Sequence, residues 1–136
     1  MRRVVLVSVV LAMGWLVAAG VWAGSAHFVS CNSSGAVGGE VCVTGKEAGL
    51  GNLEQVHIVL TVIAHCQNPG GNDPNAQNKE TFGAEFDEPV QNGKALFEVC
   101  VTTDFQPNCS PPMTVVVDSV SLVDTTNGVS CSQASQ

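Results

Sequence analysis

Tyrosine is missing from this chain, aromatic residues of all kinds make up 5% of it, and lysine plus arginine number five among 136 residues. Both arginines, Arg2 and Arg3, and both tryptophans, Trp15 and Trp22, lie within the first 23 positions. Beyond them stand three lysines, Lys46, Lys79 and Lys94, against all twelve acidic residues. Three scattered lysines assemble no basic patch, so the phosphate-neutralising attraction behind nucleic-acid binding is missing and nucleic acid is excluded as a partner. With five Phe as the only large rings after position 23, flat platforms for stacking on sugars and the usual aromatic interface anchors are lacking too. A charged fraction of 12% beside 45% apolar residues excludes a disordered polar chain, and the length fits one domain.

Catalytic motifs are equally scarce. The chain holds no Gly-x-Ser-x-Gly elbow, no His-Glu-x-x-His pair and no phosphate-binding Gly-rich loop ending in Lys-Ser/Thr. Catalysis needs an acid, base or nucleophile with a placed partner. His57 and His65 share one parity of an extended segment, but at roughly 3.3 Å per residue they stand about 26 Å apart and serve no common ligand. His27 lies beside the leader boundary. The expectation is a protein that is not an enzyme, with no cofactor, no catalytic residue and no metal site.

What is present begins with Met1-Arg2-Arg3 and an uncharged apolar run from Val4 to Ala23, which reads as an export signal over residues 1–23. The run approaches the length that spans a bilayer, so an uncleaved anchor is the alternative. Phe28-Val29-Ser30-Cys31 has the outline of a lipoprotein box, but His27 is polar where that box wants an apolar residue, and a lipid on Cys31 leaves an odd cysteine count. Residues 24–136 are expected to be a single secreted domain, extracellular or periplasmic, outside the membrane once the signal is removed.

Cys31, Cys42, Cys66, Cys100, Cys109 and Cys131 all follow the leader. An even number of cysteines in an oxidising compartment reads as structural disulfides, and no C-x-x-C spacing offers a metal site. Their connectivity stays open at this level.

Periodicity points to strands. From Glu54 to His65, Val56, Ile58, Leu60, Val62 and Ala64 share one face while Val59, Thr61 and Ile63 share the other, the pattern of a central buried strand. Lys94 to Thr103 alternates as a half-buried strand, and Asn92-Gly93 before it predicts a hairpin with Glu85 to Val90 as the other arm. From Met113 to Asp124 the apolar phase changes between Val117 and Val120, which calls for a bulge near Asp118-Ser119. Shorter strands are expected at Ala26 to Ser30, Glu40 to Lys46, Lys79 to Phe82 and Val129 to Cys131. No helical period survives in the segment after the leader, so the fold class is all-β: a disulfide-stapled antiparallel β-sandwich of immunoglobulin-like architecture.

Gly45-Lys46-Glu47-Ala48-Gly49-Leu50-Gly51-Asn52, with Cys66-Gln67-Asn68-Pro69-Gly70-Gly71-Asn72 and Asn78-Lys79, resembles a group of short, uncharacterised, signal-bearing bacterial secreted proteins. The resemblance covers roughly residues 42–124 and carries no activity. It implies one bridge, Cys66 with Cys109. The four other cysteines depart from the group, and their pairing is not implied.

Three further features are candidates for function. The polar loop Gln67 to Asn78 is long for a simple connection. Glu80, Glu85, Asp87 and Glu88 cluster around an expected turn, and Asp73 sits among Asn72, Asn75 and Asn78; oxygen donors at such spacing suit calcium, although a solvated acidic face is the plainer reading. Cys109-Ser110-Pro111-Pro112-Met113 is a rigid segment beside a cysteine, the kind that presents a protease-inhibitor loop, although Pro here also simply starts a strand. The leading expectation is a non-catalytic secreted or envelope protein with a binding or structural role toward an unknown protein or envelope partner. A secreted protease inhibitor using Cys109 to Met113 is second, and a small extracellular hydrolase third.

Overall fold

The computed structural model describes residues 25–70, 79–105 and 109–134. The leader, Asp73 with its neighbouring asparagines, and most of the 67–78 loop lie outside the described residues. Seven strands form: β1 His27–Val37, β2 Glu40–Ala48, β3 Gln55–Gln67, β4 Lys79–Pro89, β5 Lys94–Thr102, β6 Thr114–Asp124 and β7 Val129–Ala134. They make two antiparallel sheets, β1-β2-β5 and β4-β3-β6-β7, and no helix occurs among the described residues. This is the disulfide-stapled β-sandwich that the alternation calls for.

The two sheets meet through one parity of each strand. In β3, Val56, Ile58, Leu60, Val62, Ala64 and Cys66 are buried, while the residues between them are half-buried on the outer face. β5 contributes Ala95, Phe97, Val99 and Val101 from the opposite sheet, and β2 contributes Val41 and Val43. β-branched residues suit this pleated surface, and apolarity on both faces puts β3 in the interior of its sheet, between β4 and β6. In β6 the expected bulge is present. Ile63 faces Ser119 and Ala64 faces Val117, so Asp118 is the extra residue, and Val115, Val117, Val120 and Leu122 all pack inward.

The expected hairpin at Asn92-Gly93 is corrected. The turn itself exists, with φ of 53° and 73° at those residues and paired Gln91 and Lys94 backbones. Its arms, however, go to different sheets: β4 pairs with β3 and β5 with β2. β4 is one continuous strand, not two segments, with Phe82, Ala84 and Phe86 packed on the core beside β3. The Val90 N–H donates to the Glu54 carbonyl at 2.9 Å, so this arm is held to the β3 side up to the turn. Turn chemistry fixed the reversal but not the pairing, which burial decided. The acidic cluster is corrected with it: Glu80, Glu85, Asp87 and Glu88 lie along β4, not around a turn, and alternation divides them between its two faces.

All six cysteines are paired. Cys66–Cys109 joins the end of β3 to the segment before β6, the bridge that the resemblance implied. Cys31–Cys131 ties β1 to β7 across the two sheets, and Cys42–Cys100 links directly opposed residues of β2 and β5 within one sheet.

Candidate functional site

Each histidine of β3 stands on the outer face of the four-stranded sheet beside an acid. His57 is opposite Asp87 in register; its Nδ1 lies 2.8 Å from Asp87 Oδ1 and its Nε2 3.5 Å from Glu85 Oε2. The hydrogen bond to Asp87 raises the His57 pKa above its ordinary value against a lesser opposing effect of burial, and the charges of Asp87 and Glu85 raise it further. At the far end of the strand, His65 Nδ1 lies 3.0 Å from Asp118 Oδ1, and Lys79 Nζ lies 3.6 Å from Asp118 Oδ2. Asp118 reaches this face because it is the bulge residue.

Neither arrangement is a general-base site. A catalytic imidazole uses one nitrogen for an orienting acid and the other for a nucleophile or substrate. Both nitrogens of His57 face carboxylates, and His65 Nε2 is shielded from solvent. What these pairs do is fix β3 to β4 and β3 to β6 across the outer face.

A different acid pair lies inside. Alternation along β2 turns Val41, Val43, Gly45 and Glu47 toward the interior, and Glu47 is fully buried. It meets Asp124, also fully buried, at the end of β6. Asp124 caps the following turn: its Oδ1 accepts from the Thr126 N–H at 2.8 Å and the Asn127 N–H at 3.3 Å, and Oδ2 accepts from the Asn127 side-chain amide. Neither oxygen of Glu47 receives a hydrogen bond. Burial first, then the hydrogen bond that protonated Glu47 donates to Asp124 and the repulsion between the two acids, push the Glu47 carboxyl up to about 8. Sequence reasoning passed over both residues. The signal was there for Glu47, which falls on the parity of Val41 and Val43, but a charged residue on an apolar parity ordinarily reads as a strand end.

The remaining candidates are modest. Ser110, Pro111 and Pro112 are exposed, but the Met113 N–H donates to the Ser110 carbonyl at 3.0 Å, so this segment is a closed turn and not an extended loop. Glu40, Cys42 and Cys100 place an oxygen and two sulfurs within 4.8 Å of one another, but both sulfurs are committed to a disulfide and offer no thiolate ligand.

The two sides of the sandwich differ. On one side β1 and β7 are joined by Cys31–Cys131 and by Gln133, whose Oε1 accepts from the Ser33 N–H at 3.0 Å and whose Nε2 donates to the Cys31 carbonyl. The Gln133 amide thus occupies backbone groups on the edge of β1. On the other side β4 and β5 are both sheet edges, each paired on one side only (β4 with β3, β5 with β2), and among the described residues no further strand pairs with the outer side of either. No helix among the described residues is long and apolar enough to cross a membrane.

No protein-family model matches this chain, and no curated protein or solved structure matches it.

Proposed function

We propose that the chain is an exported, non-catalytic β-sandwich that binds a protein or cell-envelope partner in an oxidising space through its β4 and β5 edges. The supporting observation is the asymmetry just described: one side is closed by a disulfide and a glutamine clamp, and the other presents unpaired strand edges. An exposed edge offers backbone donors and acceptors to an added strand. Three disulfides suit an extracellular or periplasmic setting, and the apolar leader supplies the route.

The chemistry of the edge selects the partner. Glu85 and Asp87 project from β4 on the outer face, and Lys79 is the one cation of that strand. A second copy pairing along β4 sets like charges against each other, which disfavours self-association and favours a cationic extended segment. The test is crosslinking in culture supernatant and envelope fractions with the natural protein and a Glu85→Lys/Asp87→Lys variant. Capture of a basic partner by the first and its loss in the second supports the reading. No capture by either, or equal capture by both, removes it. The inhibitor reading rests on Cys109 to Met113, whose closed turn suits an extended protease subsite poorly; inhibition in a panel of extracellular proteases decides it.

A further inference from the structure

We propose that Glu47 and Asp124 share a single proton inside the folded protein, and that losing it unlatches the end of the sandwich where they meet. The geometry carries the argument. Two carboxyl groups in contact with each other lie fully buried, and among the described residues the oxygens of Glu47 receive no hydrogen bond from an N–H or hydroxyl donor. An ionised carboxylate in that position is left without solvation or counter-charge, a state that folded proteins avoid by neutralising the group. Asp124 holds the donor set of a carboxylate, with two backbone N–H groups and an amide pointing at it. The proton therefore sits on Glu47, whose O–H donates to Asp124 and supplies the fourth contact. No cation is required: hard cations take about six or more oxygens, and this buried pair offers two carboxyls.

The other ionisable groups nearby do not replace that proton. Lys46 on β2 and Lys94 on β5 belong to the outward parity of the three-stranded sheet, His27 on β1 is exposed, and His57 on β3 faces outward to Asp87 and Glu85. Glu88 turns inward on β4, but burial alone raises its pKa. β7 carries no ionisable side chain beyond the bridged Cys131. Among the described residues Asp124 is thus the one charged group acting on Glu47.

The place of the pair gives the latch its consequence. Glu47 is opposite Phe28 and Ala95 in its sheet, and Asp124 is opposite Ile58 and Val129 in the other. Asp124 also orders the turn whose Thr126 Oγ1 accepts from the His57 N–H and whose Thr125 N–H donates to the His57 carbonyl, both at 2.9 Å. Two like charges here push apart the middle strands of both sheets and loosen the turn that holds the start of β3.

Unfolded, a glutamate loses its proton near its ordinary value of 4.5; folded, Glu47 keeps it to about 8. Between those values the folded state binds the extra proton, so stability falls as pH rises across that window and levels off above it. The experiment is equilibrium unfolding at pH 5 and pH 9 for the natural protein and for Glu47→Gln, each also carrying His57→Asn, because His57 adds a slope of the same sign. The folded-to-unfolded ratio is expected to drop by between about tenfold and a thousandfold in the Glu47 protein, while the Gln variant, neutral at both pH values, loses that drop. The ¹³C carboxyl resonance of Glu47 in the unsubstituted protein gives an independent reading if the variants fold poorly, with an expected midpoint well above that of an exposed glutamate. An ordinary midpoint, or equal drops with Glu and Gln, overturns the proposal. So does restoration of alkaline stability by calcium, which indicates a cation site in place of a shared proton.

Discussion

At the scale of single residues, neighbours decide what a side chain does, and two of them make opposite cases. His57 is half-buried on the outer face and flanked by two acids, and the hydrogen bond to Asp87 leads it to hold its proton to higher pH than a free histidine. Its stabilising effect is complete below the ordinary histidine value and is lost as pH rises through the raised folded value. In a proton NMR titration the His57 ring midpoint is expected above that of the unfolded chain, and Asp87→Asn should lower it; an unchanged midpoint in that variant denies the pairing. Gly45 makes the other case. The ring of Phe97, its direct partner in register, lies over it, and a Cβ there meets Phe97 Cζ at 2.5 Å and the Ser30 carbonyl oxygen at 3.0 Å. Phe97 is itself held edge-on against Phe28, with ring centroids 6.2 Å apart, so the ring has little room to yield. Gly45→Ala is expected to cost about 1–3 kcal/mol by overpacking. Gly83→Ala, where the nearest atom is 3.6 Å away on an exposed position of β4, should change stability by less than about 0.5 kcal/mol. Chemical denaturation of the two variants gives the comparison, and equal losses refute the steric account.

At the scale of elements, β6 is the strand whose sequence most depends on one residue. Asp118 restores the inward phase, so that Val115 and Val117 pack with Val120 and Leu122 on one side. Removing it forces a choice. Either Val115 and Val117 turn outward or the pairing with Ala64 to Gln67 slips by one, carrying Val115 away from its register partner Cys66. Deletion of Asp118 is expected to cost at least about 3 kcal/mol, whereas Asp118→Asn, which keeps the bulge and loses only the charge facing His65 and Lys79, should cost about 1 kcal/mol or less. Thermal melts of both variants, with similar losses, would refute a role for chain length at this point. This bulge was legible in the sequence because the valines themselves change phase, and β3 and β5 were legible because their alternation is strict. β1 and the full length of β4 were not, because serine, glycine and acidic residues dilute the period there. The partner of β4 was beyond reach for another reason: Asn92-Gly93 specifies how the chain reverses, but whether the arms pair with each other depends on which sheet buries Phe82 and Phe86. Glu47 was hidden by the same limit, since its burial follows from the strand opposite it in the other sheet.

At the scale of the whole molecule, the three disulfides do three different jobs although their loop entropies nearly coincide. Sequence separations of 100, 58 and 43 residues correspond to about 4–5 kcal/mol each by loop closure, a spread too narrow to rank them. Position separates them. Cys66 is 4% exposed, and its bridge sits at the core margin where β3 ends. Cys31–Cys131 packs against the core and, with Gln133, joins the edges of two sheets that share no ladder. Cys42–Cys100 lies on the outer face of the three-stranded sheet, off the core, and joins strands whose pairing runs unbroken from Glu40 opposite Thr102 to Ala48 opposite Lys94. Thiol–disulfide exchange depends on access of the attacking thiolate, so the outer bridge is the one that a limited amount of thiol reductant opens first. Trapping with an alkylating agent followed by peptide mapping should place the earliest label on Cys42 and Cys100, with the β-sheet circular dichroism intact, because the ladder still holds those strands together. Cys31 and Cys131 should follow, and their opening should release β1 from β7 and expose the edges that the bridge and Gln133 close. Early label on Cys66 or Cys109 would deny that access sets the order of opening, and loss of the sheet signal with the first bond would show that the body depends on its outer staple and that strand pairing and the packed interior are insufficient to hold it together.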